Sequence, residues 1–264
     1  MRSPLDGGRL RGRLAAGEAT VGTFLGLASP AAAEVCAAAG PDWLVLDLEH
    51  GGGGEEQIAP TVLASAAYGV PTVVRVEADV RIRLGRVLDL GAAGVMLPRM
   101  ESAGQVAEAL RHLRFPPAGD RGVAAYTRAG RFGLDPGALE RANDELLCVV
   151  QIESAAAVAQ ADAIAALDGA DVLFVGPSDL GHDLGVPGDP TAAALLESLA
   201  TVRAAAGRHG KACGLLVGDG AAARRYAEEG WCFMGVGSDS TLLADALGAE
   251  LAAARTGGSR GGGG

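Results

Sequence analysis

The 264-residue chain is nearly without lysine: of its 22 Lys and Arg residues, only Lys211 is a lysine. Any lysine Schiff base would have to form on that one residue. Paired cysteines are missing too. Cys36, Cys148, Cys213 and Cys232 are scattered and form no C-x-x-C motif. In a chain of this length they read as small buried hydrophobes in a reducing, cytoplasmic setting. No apolar run approaches membrane-spanning length, and the N-terminus has no apolar signal-peptide core. The formal charge of −10 leaves no basic face for nucleic acid. What remains, with 49% hydrophobic residues, is a soluble chain able to bury a large core.

Short β-rich runs alternate with Ala-rich amphipathic stretches. The pattern predicts strands over 21–27, 43–48, 72–76, 94–97, 146–152, 171–175, 212–217 and 232–236. Between them it predicts helices over 31–39, 55–68, 79–90, 102–113, 154–167, 177–184, 190–209, 221–229 and 241–254, with a short extra one over 136–143. Ser29, Asp79 and Ser154 are read as N-caps, Pro30 as a first-turn residue and Gly91 as a stop. Near-continuous apolar strands are expected where helices cover both faces of a parallel sheet. Eight β/α units in one domain-sized chain indicate a single-domain (β/α)8 TIM barrel over residues 20–255. Residues 1–19 precede it, and residues 256–264 form a Gly-rich tail expected to be disordered.

In such barrels the chemistry sits at the C-terminal ends of the strands. Polar residues gather there: Asp47-Leu48-Glu49-His50 after the second strand, Arg75 in the third, Gln151-Ile152-Glu153 in the fifth and Gly176-Pro177-Ser178-Asp179 after the sixth. Glu153 and Asp179 would suit a hard divalent ion that keeps several waters. Equally, Glu153 would serve a helix first turn and Asp179 a loop. Arg75 would steady an oxyanion or pair with a barrel carboxylate. His50 is the one histidine at a strand's C-terminal end, beside Asp47 and Glu49, and is the candidate base.

At these residues the chain resembles the HpcH/HpaI family of metal-dependent (class II) 2-keto-acid aldolases, from about Gly22 to Leu251. The matching stretches include Asp42-Trp43-Leu44-Val45-Leu46-Asp47-Leu48-Glu49-His50, Val74-Arg75-Val76, Phe115-Pro116-Pro117-Ala118-Gly119-Asp120-Arg121-Gly122-Val123, Val150-Gln151-Ile152-Glu153 and Phe174-Val175-Gly176-Pro177-Ser178-Asp179. The resemblance implies reversible cleavage of a 4-hydroxy-2-oxo acid, a class that includes 4-hydroxy-2-oxoheptane-1,7-dioate and 2-keto-3-deoxy sugar acids, to pyruvate and an aldehyde through a pyruvate enolate. Under it, Glu153 and Asp179 bind Mg, Mn or Co. Gln151, the backbone of Ser178 and Asp179, and Leu216 contact the substrate. Arg75 stabilises the enolate, His50 is the general base, and Asp89 raises that histidine's basicity. Asp89 sits at the end of a helix, which should place it at the opposite barrel face or in a neighbouring subunit's site. The family forms hexamers, so a homo-oligomer, hexamer or trimer, is implied.

The chain departs from the family pattern at Leu48 and Gly51, at Phe24 where Trp is frequent, and at Ser178 and Gly181. These changes bear on the aldehyde partner. Two rival enzymes share the barrel: a metal-dependent oxaloacetate decarboxylase, and an acyl-CoA lyase of the citramalyl-CoA type, for which no lysine cluster is present to hold a nucleotide. A non-catalytic binding barrel is the third alternative.

Overall fold

A computed structural model describes residues 7–256. Eight parallel strands pair in chain order and close on themselves: β1 (Thr20–Leu25), β2 (Trp43–Asp47), β3 (Thr72–Arg75), β4 (Gly94–Leu97), β5 (Leu147–Ile152), β6 (Val172–Val175), β7 (Ala212–Val217) and β8 (Phe233–Ser238). The TIM barrel expected from the alternation is the fold. The helices are α1 (Gly7–Ala15), α2 (Pro30–Ala38), α3 (Ile58–Ala66), α4 (Arg81–Asp89), α5 (Ala103–Leu113), α6 (Ala138–Arg141), α7 (Ala155–Ala159), α8 (Ala161–Ala165), α9 (Pro177–Asp183), α10 (Ala193–Arg208), α11 (Gly220–Glu228) and α12 (Asp239–Thr256). The Gly-rich tail from residue 257 onward lies outside the described residues. Among the described residues no helix is long and apolar enough to cross a membrane.

Strand alternation sorts the core into two layers. Leu44, Leu46, Val74 and Val95 face the helices, while Trp43, Val45, Val73 and Phe233 fill the barrel. Trp43 stacks on Phe233 with ring centroids 3.9 Å apart, and Phe233 meets Phe174 edge-on. Gly22 makes room for this stack, since a Cβ there would run into the Trp43 ring. The Trp43 Nε1–H donates to Thr20 Oγ1 at 3.1 Å, so the indole is buried without an orphan donor. Below it, Leu10 and Leu14 of α1, one helical turn apart, join the interior cluster and close the N-terminal end. The sequence pattern gives no strong signal for α1, whose segment is short and rich in Gly and Arg.

Local chemistry sets most boundaries. Ser29 accepts from the Ala32 N–H at 3.3 Å with Pro30 opening α2, and Ser154 accepts from the Ala157 N–H at 3.1 Å. Gly91, at φ 102°, follows α4 as a stop. Three expectations need correction. Asp79 caps nothing: Val80 is the N-cap of α4, and the Asp79 carboxylate accepts from Gln105 Nε2 instead. The helix expected over 154–167 breaks at Gln160 into α7 and α8. The segment after Glu55 begins as a 3-10 turn before α3. The last helix, α12, leaves Leu242, Leu243, Leu247 and Leu251 exposed.

Candidate active site

A cavity of about 400 Å³ opens at the C-terminal ends of the strands. Two larger hollows, of about 630 and 590 Å³, lie toward the opposite end, the first beside Gly91 and Ala92, the second beside Lys211. The smaller one holds the chemistry. Asp47 ends β2 and Arg75 ends β3, as direct register partners. Arg75 donates from Nε to Asp47 Oδ1 at 2.9 Å and from Nη2 to Oδ2 at 2.6 Å. Asp47 Oδ1 also accepts the backbone N–H groups of Glu49 and His50, at 3.0 and 3.1 Å. Burial opposes the charge on Asp47, but Arg75 and these two N–H groups outweigh it and hold the carboxyl below its usual range. The same pairing, against the same burial, raises the pKa of Arg75. Arg75 Nη1 lies 3.1 Å from Glu49 Oε2, and its guanidinium carbon stands 5.4 Å from the centroid of the Phe24 ring.

Across the cavity, β5 presents Gln151 and Glu153, 1% and 7% exposed. Ser154 takes the cap of α7, so the Glu153 carboxylate turns inward, where Oε1 accepts from Gln151 Nε2 and Oε2 from the Arg99 N–H at 3.3 Å. Arg99 holds that N–H in place with a positive φ of 48°. Gly176 is needed here, because a Cβ would collide with Glu153 Oε1. Asp179 stands in the first turn of α9 and lines the same cavity. Burial first, then the charges of Asp179 and Glu49, push the Glu153 carboxyl up to about 7.

The residues fit a hard divalent cation. Among the described residues no three His, Cys, Asp or Glu side chains form a ready-made metal cluster. The donor set is two carboxylates, leaving the rest of a coordination shell to water and substrate oxygens. Surplus negative charge at Glu153 and a buried acceptor without a hydrogen-bond partner, Gln151 Oε1, suit a cation and its bound waters.

The structure thus brings together Arg75, Gln151, Glu153, Ser178, Asp179 and Leu216 around one cavity. His50 is off the cavity lining: its N–H is held by the lining residue Asp47, and its ring is exposed, with Nε2 3.8 Å from Glu49 Oε2. Asp89 is not brought in. It ends α4 at the far end of the barrel and accepts from Arg121 Nη2 at 2.7 Å. Lys211 is also at that end, where its Nζ donates to the Leu167 carbonyl. Asp47, Glu49, Phe24, Arg99, Ser238 and Thr241 complete the surroundings. The register of Asp47 with Arg75 is the signal that identifies the first of these. The backbone role of Arg99 has none.

Residues 20–246 match the family model described as HpcH/HpaI aldolase/citrate lyase. A 4-hydroxy-2-oxo-heptane-1,7-dioate aldolase of Salmonella dublin is 39% identical over 249 residues, 92% of each chain. The crystal structure of an HpcH/HpaI aldolase/citrate lyase family protein from Burkholderia cenocepacia J2315 superposes with a TM-score of 0.89 at 40% identity, covering 94% of this chain and 99% of that one. An HpcH/HpaI aldolase from Desulfitobacterium hafniense DCB-2 gives 0.86 at 31%, over 96% and 98%. The chain belongs to the HpcH/HpaI aldolase family, as a carbon–carbon lyase on a TIM barrel.

Proposed function

We propose that the enzyme reversibly cleaves a 4-hydroxy-2-oxo acid to pyruvate and an aldehyde, with a divalent cation held by Glu153 and Asp179. The observation that carries this reading is the presence of that carboxylate pair and Arg75 on one cavity wall system at the strand ends. The substrate named for the Salmonella dublin relative belongs to the same chemical class.

Glu153 and Asp179 would hold Mg, Mn or Co, which when bound would supply Lewis acidity to the 2-oxo acid. The N–H groups of Ser178 and Asp179, at the start of α9, and the Gln151 amide bind the carboxylate end. His50 takes the proton of the 4-hydroxyl, directly or through a water. The C3–C4 bond breaks, its electron pair stays with C3, and the aldehyde departs. Arg75 stabilises the enolate oxygen with the N–H groups that Asp47 and Glu49 leave free. A proton added at C3 gives pyruvate. Phe24 and Phe174, both buried, keep bulk water from the enolate. Asp89 acts on His50 only from a neighbouring copy in a homo-oligomer, because within one chain it stands at the other end of the barrel.

The test is pyruvate release from a panel of hydroxy-oxo acids, with and without EDTA. Activity that falls in chelator and returns with Mg or Mn supports the reading. Full activity in chelator rejects it, as does unimpaired turnover by Glu153→Ala.

A further inference from the structure

The end of β1 has an irregular seam with β8. Their register shifts between Gly22 and Phe24, so the ladder gives less regular support just before the loop that leaves β1. Asp239, the first residue of α12, supports that loop from the side. Its side chain is off the cavity lining and 6% exposed. Asp239 Oδ1 accepts the Gly26 N–H at 2.8 Å and the Leu27 N–H at 3.2 Å, and Oδ2 lies 3.3 Å from the same Leu27 nitrogen. Oδ1 also accepts the Ser240 N–H at 2.8 Å. A buried carboxylate bound to two consecutive N–H groups of a loop fixes the path of that loop.

The loop passes this order on. The Gly26 carbonyl accepts the Gly52 N–H at 2.9 Å. Gly52 belongs to the run of four glycines, 51–54, that directly follows His50. Such a run has little stiffness of its own. His50 is therefore held between two anchors. On one side its own N–H donates to Asp47 Oδ1, and on the other Gly52 donates to Gly26. Gly51 lies between them, packed so closely that a Cβ would run into the Asp47 carbonyl. The first anchor stands on β2 and the second on Asp239. Gln151, Glu153 and Asp179 stand elsewhere, at the end of β5 and on α9.

We propose that Asp239 is a positioning residue for the reaction: it fixes the Gly26 turn and, through the Gly26 carbonyl, the glycine run that sets where His50 stands. The inference rests on the aldolase reading, with His50 as base, and adds a residue that touches neither substrate nor metal.

The experiment is a double-mutant cycle of Asp239→Ala with His50→Ala, read by pyruvate release from a 4-hydroxy-2-oxo acid. In the wild-type background Asp239→Ala should lower kcat about tenfold, because small displacements of a base are costly. KM and the half-saturating Mg concentration should stay within about twofold, since the residues that set them are on other elements. In the His50→Ala background the same substitution should cost less than about twofold, because the group it positions is gone. An equal loss in both backgrounds is what general structural damage gives, and it overturns the inference. So does an unchanged kcat, or a loss that appears in KM or Mg affinity instead. Gly52→Pro deletes the donor at the other end of the relay and leaves Asp239 in place; it should reproduce the pattern, and it carries the test if Asp239→Ala does not fold. A wild type that releases no pyruvate from any hydroxy-oxo acid overturns the aldolase reading and this inference together. Wild-type turnover with additive losses overturns only this one.

Discussion

Asp47 and Arg75 sit opposite each other on adjacent parallel strands, and the guanidinium closes a two-pronged ion pair on the carboxylate. The pair is what turns Arg75 toward the cavity and leaves part of its fork for substrate. Asp47→Asn removes the counter-charge of a nearly buried arginine. It should cost about 3 kcal/mol of stability and lower kcat, measured by denaturant unfolding and pyruvate release.

The same pair predicts an acid sensitivity. The Asp47 carboxyl is held below its ordinary value in the folded state, so its stabilising contribution is complete above the unfolded value, about pH 4. It is lost as pH falls through the lower folded value. The stability gap between wild type and Asp47→Asn should therefore be full at pH 7 and shrink below pH 4. A gap that widens in acid would contradict this.

Glu153→Gln should have opposite effects with and without metal. In chelator it removes a charge that burial, Asp179 and Glu49 all disfavour, so the melting temperature should rise at pH 8, equivalent to about 2 kcal/mol. With millimolar Mg or Mn, wild type should gain stability by mass action and the variant should not. Scanning calorimetry of both proteins in both conditions reads the crossover.

Gly176→Ala is predicted to damage the site without touching a charged group. The added methyl meets Glu153 Oε1 and must displace the carboxylate. Activity should fall at least about tenfold, with the apparent affinity for Mg weakened in parallel and the barrel still folded by circular dichroism.

Lys211→Arg should leave turnover intact, and borohydride with pyruvate should add no mass to the protein. Lys211 stands immediately before β7 with its ammonium on the Leu167 carbonyl, at the end away from the cavity.

The barrel was legible because each strand is an apolar run and most helices carry a stop or cap that acts locally, such as Ser29, Ser154 and Gly91. The metal-end residues were legible because they follow strands, and strand ends converge in a closed barrel. What escaped depends on tertiary contact. Asp79 has a capping residue's chemistry, yet Gln105 of the next helix claims its carboxylate. α1 is held by what Leu10 and Leu14 bury under the barrel, not by its own propensity. Arg99 acts through a backbone N–H, which any residue type offers. Asp89 is placed by its helix far from the residues it was grouped with.

The aromatic stack of Trp43, Phe233 and Phe174 and the closing helix α1 make the barrel a blind alley. Whatever enters by the strand ends leaves the same way. Under the proposed reaction, pyruvate occupies the deep end and the aldehyde half the outer wall. Departure then has an order, aldehyde first and pyruvate last, and pyruvate alone should compete with the substrate for the emptied enzyme.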